Sequence, residues 1–112
     1  MKRMEGRGMV VATAVLFLLA VFALPAAGAE SGAAIFKAKC AACHGESGAG
    51  DTPMGKKLNV KNLGAPSAQN LTDEEMFDVI SVGKNKMPPF EKRLSPDKIR
   101  LVVTHIRSLK RS

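Results

Sequence analysis

The sequence predicts a small all-α domain whose centre is completed by something other than protein. Capping signals open helices at Ser31, at Thr72 with Glu75, and at Ser95-Pro96, while no stretch alternates apolar and polar residues as a half-buried strand would. Residues 45–70, with Gly45, Gly48, Gly50, Gly55 and Gly64, read as one long irregular loop, unusual in so short a chain unless it wraps around something. The chain has 112 residues, and the first 29 have the order of an export leader, which leaves 83. A chain that short buries too little apolar surface to be comfortable alone.

The leader comes first. Residues 1–8 carry Lys2, Arg3 and Arg7, residues 10–24 are apolar apart from Thr13, Pro25 breaks the run, and Ala27-Gly28-Ala29 supplies small residues for cleavage after Ala29. Fifteen apolar residues fall short of the ~20 that span a bilayer. Counting residues 9–29 instead leaves room for an uncleaved anchor, and in either case residues 30–112 form a domain that works outside the cytoplasm. That domain keeps 14 Lys and Arg against 9 Asp and Glu, a net of +5. A basic surface suits anionic partners, although the same charge also serves solubility. With no Trp, no Tyr and five Phe, base stacking on nucleic acid is disfavoured.

The first helix starts at Ser31 and runs through Ile35 and Phe36 toward Cys40. Thr72 and Glu75 form a capping box for a second helix with Met76, Phe77, Val79 and Ile80 on its apolar side and Gly83 as its stop. A proline-bearing loop, residues 84–90, leads to the last helix. There Ile99, Val102, Val103 and Ile106 recur at i, i+3, i+4 and i+7. Three such helices cannot enclose the long loop around a protein-only core.

Both cysteines of the chain lie in Cys40-Ala41-Ala42-Cys43-His44. Two thiols three residues apart near a helix end project to one side, where they can add to the two vinyl groups of one haem. His44, next in the chain, then offers an imidazole nitrogen to iron. This is the c-type haem attachment signature. A Cys40–Cys43 disulfide, a zinc site and two purely structural thiols are the alternatives. A dithiol redox motif belongs with a βαβ pattern, which is missing, and the Cys and His spacing matches no zinc pattern.

For the sixth position on iron the candidates are Met54, Met76, Met87 and His105. Met76 falls on an apolar helix face, His105 lies beside the apolar stripe of the last helix, and Met54 follows His44 too closely to reach the opposite face of a ring. Met87 stands in Lys86-Met87-Pro88-Pro89-Phe90, where Pro88 pushes it toward extended backbone and the two prolines limit the loop's freedom. The reading is His44 and Met87 as axial ligands.

With these motifs the chain resembles the class I cytochromes c, the small single-haem type, over nearly all of residues 32–109. Gly32 and Phe36 before Cys40–His44, Gly55 and Leu58 in the loop, Met87-Pro88, and the run Val102-Val103-Thr104-His105-Ile106-Arg107 carry the resemblance. It implies three main helices and long loops wrapped around one covalently bound haem c. It also implies that a carbonyl in the Gly55–Leu58 segment holds the proton of the axial imidazole. Lys56 stands where the family usually has proline, and the Lys56 carbonyl is expected to take that role. His105 stands where tyrosine is common, and is expected to pack between the first and last helices.

A ring held by His44 and Met87 would serve as the missing core, with Phe36, Leu58, Ile80, Phe90 and Leu94 against it. Closed six-coordinate iron disfavours substrate chemistry and suits a one-electron carrier between redox proteins. Lys56, Lys57, Lys84, Lys86, Lys92 and Arg93 flank the expected haem edge and would steer partners with acidic docking surfaces. The chain is expected to be a periplasmic monomer with no nucleic-acid partner, touching a membrane only if the leader is retained. Other readings are a haem subunit of a larger oxidoreductase, or a sensor or peroxidase-like protein in which Met87 is displaced.

Overall fold

The computed structural model describes residues 30–111; the leader, residues 1–29, lies outside the described residues, as does Ser112. Six helices follow in order: α1 (Gly32–Lys39), α2 (Ala41–His44), α3 (Pro53–Lys57), α4 (Pro66–Gln69), α5 (Asp73–Val82) and α6 (Pro96–Ser108). Among the described residues there is no strand, and the nearest thing to one is an isolated bridge between Lys84 and Met87. Nor is any described helix long and apolar enough to cross a membrane.

The local signals act as their chemistry requires. Ser31 Oγ accepts the Ala34 N–H at 3.1 Å, and Ser95 Oγ accepts the Lys98 N–H at 3.3 Å. Thr72 and Glu75 form a reciprocal capping box, the Thr72 N–H donating to Glu75 Oε2 at 2.7 Å and the Glu75 N–H to Thr72 Oγ1 at 3.1 Å. Asp73, Glu74 and Glu75 place negative charge at the positive end of the α5 dipole.

The loop expected over residues 45–70 is not wholly irregular, because it contains α3 and α4. Each opens on the device that opens α6: a residue in extended backbone, Thr52 or Ala65, followed by proline at the first helical position. Helices of five and four residues are too short to show an apolar period, so only their first residues announce them.

α6 is the spine. Its four periodic residues Ile99, Val102, Val103 and Ile106 are all buried. They meet Ile35 and Phe36 of α1 and Met76 and Ile80 of α5, and Phe90 and Leu94 from the intervening loop complete the cluster. Each such side chain contributes about 1.5–3 kcal/mol on leaving water. α1 and α6 cross where Gly32 lies on the Leu101 carbonyl. His105 sits at this crossing as expected, its ring centroid 5.0 Å from that of Phe36. The exposed pair Arg100–Glu74 (3.0 Å) and the pair of the part-buried Arg107 with Asp73 (2.8 Å) bridge α5 and α6, and as ion pairs alone they add little.

Candidate cofactor site

The Cys40–His44 motif occupies a bend between α1 and α2. The Cys40 N–H still bonds back to the Phe36 carbonyl at 2.8 Å and so ends α1, while its own carbonyl accepts from the N–H groups of Cys43 (3.2 Å) and His44 (3.0 Å) to begin α2. One helical turn thus puts Cys40, Cys43 and His44 in sequence around a single bend. The chain then folds back, the Gly50 N–H donating to the His44 carbonyl at 2.7 Å.

Thr52 staples this bend to α3, a role that sequence reasoning missed. Its hydroxyl donates toward the carbonyls of Ala42 (2.8 Å) and Cys43 (3.2 Å) while accepting the Gly55 N–H at 2.9 Å. Gly55 itself lies so close that a Cβ there would stand 2.3 Å from the Cys43 carbonyl oxygen, so the Gly-x-x-Leu segment that carries part of the resemblance has a steric reason at its glycine.

On the other side, Met87 is held at both flanks. Gly83 takes φ +80° to end α5, and a Cβ there would meet the Met87 carbonyl at 2.6 Å. Lys84 and Met87 exchange two backbone hydrogen bonds (3.2 and 2.9 Å) across Asn85 and Lys86. After the two prolines the N–H groups of Phe90 and Glu91 return to the carbonyls of Ile80 (3.0 Å) and Ser81 (3.1 Å) on α5. The prolines therefore stiffen a loop that main-chain bonds already close.

These elements enclose a cavity with about 550 Å³ of empty space, its open mouth included. Phe36, Cys40, His44, Met76, Ile80 and Met87 line it, so thiol, imidazole and thioether face one apolar space. Met76 is buried, as its helix face predicts, and also reaches the cavity. Cys43 is half-buried at the side and does not line it. Three of the residues expected against the ring stand elsewhere. Phe90 and Leu94 are buried in the core but do not line the cavity, because the Phe90 N–H to Ile80 bond and the turn it starts carry both into the core cluster. Leu58 caps α3 half-buried and away from the cavity. The wall they were expected to form comes instead from Leu63, Ala68, Leu71 and Val79, with Val102 and Ile106 behind.

Burial governs the chemistry of the donors. It lowers the pKa of His44 below its ordinary value, favouring the neutral imidazole that ligates metal. It also pushes the Cys40 thiol up to about 11, with the neighbouring Cys43 thiol adding to the rise. A buried thiol of that kind is the opposite of the exposed, low-pKa thiolate that dithiol redox chemistry uses. His44 Nδ1 is buried with no hydrogen-bond partner among the described residues. Contrary to expectation, the Lys56 carbonyl does not take its proton. It accepts the N–H groups of Leu58 and Asn59 instead, because α3 directs it along its own axis into the helix cap. An apolar slot lined by Cys40, His44 and Met87, with Cys43 half-buried beside it, fits a covalently attached haem.

Lys56, Lys57, Lys84, Lys86, Lys92 and Arg93 are all exposed, and none is in an ion pair among the described residues.

Comparison with known proteins agrees with this geometry. The family model described as cytochrome C oxidase, cbb3-type, subunit III matches residues 27–106. Cytochrome c6 of Anabaena variabilis is 35% identical over 82 residues, covering 68% of this chain and 85% of that protein. The cbb3-type cytochrome c oxidase subunit FixP of Azorhizobium caulinodans is 33% identical over 82 residues, covering 72% of this chain but 27% of the relative. Among solved structures, the KustC0563 c-type cytochrome superposes with a TM-score of 0.68 at 26% identity, over 73% of this chain and all of that one.

Proposed function

Because the chain belongs to the cytochrome c family, we propose that Cys40 and Cys43 form the two thioethers to its haem and that His44 and Met87 are the axial ligands of the iron. The protein carries one covalently bound haem c and is an electron carrier. When bound, haem supplies a one-electron ferrous/ferric couple, and methionine ligation favours the ferrous form. The chain's own residues do the rest. Cys40 and Cys43 anchor the ring from one helical bend, which Thr52 holds. His44 and Met87 would hold the iron between them and leave it no position for a substrate. Phe36, Ile80, Val102 and Ile106 keep water from the interior, while the half-buried Cys43 marks the edge nearest to solvent.

The observation that carries this reading is the convergence of Cys40, His44 and Met87 on one apolar cavity. Intact mass of the exported protein is expected to show the polypeptide plus one haem, resistant to acid extraction. A mass equal to the bare chain would overturn it.

The reading extends to location and partners. Residues 1–29 direct export, placing the domain in the periplasm, or on its membrane face if the leader stays. The six exposed basic residues face acidic surfaces of other redox proteins, and the domain works as a monomer. Electron-transfer rates with an acidic redox protein are then expected to fall at least roughly tenfold as salt rises from about 10 to 150 mM, since the Debye length shrinks from about 30 to 8 Å. Rates that stay flat would remove the steering role. The matches to oxidase subunits favour a second reading, a haem subunit of a larger complex. Co-purification at fixed stoichiometry with membrane partners would support it over a free carrier.

A further inference from the structure

One wall of the cavity is built by Leu63, Ala68 and Leu71. Burial does not explain how it is held, because α4, in the middle of this wall, has no buried residue and no side-chain cap. The wall's beginning is tied by main-chain bonds, the Leu63 N–H to the Gly48 carbonyl (2.8 Å) and the Arg111 N–H to the Gly64 carbonyl (3.2 Å). Apart from main-chain bonds among residues 62–72, the polar ties of residues 66–71 to the rest of the described protein come from two side chains. Gln69 Nε2 donates to the carbonyls of Leu63 (2.8 Å) and Ile106 (2.9 Å), the second lying in the last turn of α6. Arg107, one residue on, donates to the Gln69 carbonyl (2.7 Å), to the Leu71 carbonyl and to Asp73 Oδ1 (2.8 Å). Its side chain is only 29% exposed. Three acceptors spread over five residues need the planar fork of a guanidinium, which an ammonium cannot match.

We infer that Arg107, assisted by Gln69, is a positioning residue that latches the wall of residues 63–71 to α6 and thereby sets the reduction potential of the haem iron. The inference rests on reading the cavity as the haem site. A closed wall keeps water out and disfavours the extra charge of ferric iron; a loosened wall admits water and stabilises it.

The test uses the full haem-loaded chain with Arg107→Lys, Arg107→Gln and Gln69→Leu. In Arg107→Lys, which keeps the charge, amide exchange at Asn70 and Leu71 is expected to quicken at least tenfold and the potential to fall, while the Ile80 amide in α5 keeps its wild-type rate. Gln69→Leu is expected to move both readings the same way by less. If Arg107→Lys matches wild type in either reading and only Arg107→Gln shifts the potential, the effect is one of charge and the latch is overturned. Equal acceleration at Ile80 would likewise overturn it, since the role would then be global. A wild-type chain without covalent haem would instead overturn the haem reading, and this inference with it; the exchange rates distinguish the two failures.

Discussion

Replacing both Cys40 and Cys43 by alanine is expected to yield a chain that carries no covalent haem and does not hold its native fold at 37 °C. The argument starts from size. Stability of about 0.05–0.15 kcal/mol per residue allows the 82 described residues on the order of 4–12 kcal/mol in total. The cavity has about 550 Å³ of empty space in a domain this small. Left unfilled, the roughly 110 Å³ of it that water-sized molecules can occupy costs on the order of 3 kcal/mol at about 24 cal/mol per Å³. Its lining also includes Phe36, Ile80, Val102 and Ile106, which belong to the same cluster that joins α1, α5 and α6. Loss of the anchored ring therefore withdraws support from the α1–α6 and α5–α6 contacts at once. Mass spectrometry, the absorption spectrum and far-ultraviolet circular dichroism of the purified double variant check this. A chain that kept helical circular dichroism and cooperative unfolding without haem would show that the polypeptide builds its own core.

How much of this could be read along the chain follows from how locally each feature is encoded. The caps at Ser31, Thr72 and Ser95 were legible because each satisfies a backbone donor three residues away. The cysteine–histidine bend was legible for the same reason, since one helical turn fixes how Cys40, Cys43 and His44 follow each other. Met87 could be singled out because Pro88 restricts it, yet what holds it is a set of main-chain bonds from α5 that no sequence pattern announces. The cavity wall was the least legible part. Leu58 was favoured for its place in a family-like segment, but the chain turns at α3, and Leu63, five residues on, reaches the cavity instead. Phe90 and Leu94 are buried, as apolar residues should be, but apolarity does not say which side of a core a residue faces. Thr52 and Arg107 look like surface residues in the sequence. Their roles arise only when carbonyls distant in the chain are gathered around them.

Met87→Ala is expected to leave haem covalently attached while opening the sixth position of the iron. The two consequences separate because the proposed thioethers would come from Cys40 and Cys43, on the α1–α2 bend, whereas Met87 belongs to the loop after α5. That loop should keep its course in the variant. Gly83, the paired bonds between residues 84 and 87, and the returns of Phe90 and Glu91 to Ile80 and Ser81 are all main-chain features that alanine retains. With Met87 as the proposed ligand, what would be lost is a neutral sulfur that favours ferrous iron. The potential is therefore expected to fall, on the order of 0.1 V or more, within the roughly 0.8 V that axial ligands span. The ferric absorption band near the red end of the spectrum that marks a methionine–iron bond is expected to vanish, and added imidazole to bind where the wild type resists it. Met76 supplies an internal control. It lines the same cavity, but from the buried face of α5. Met76→Leu, close in volume, should keep the red band and cost less than about 1.5 kcal/mol of stability. If Met87→Ala kept the band and Met76→Leu lost it, the ligand would be on α5, and the loop that residues 83–91 build with such care would need another purpose.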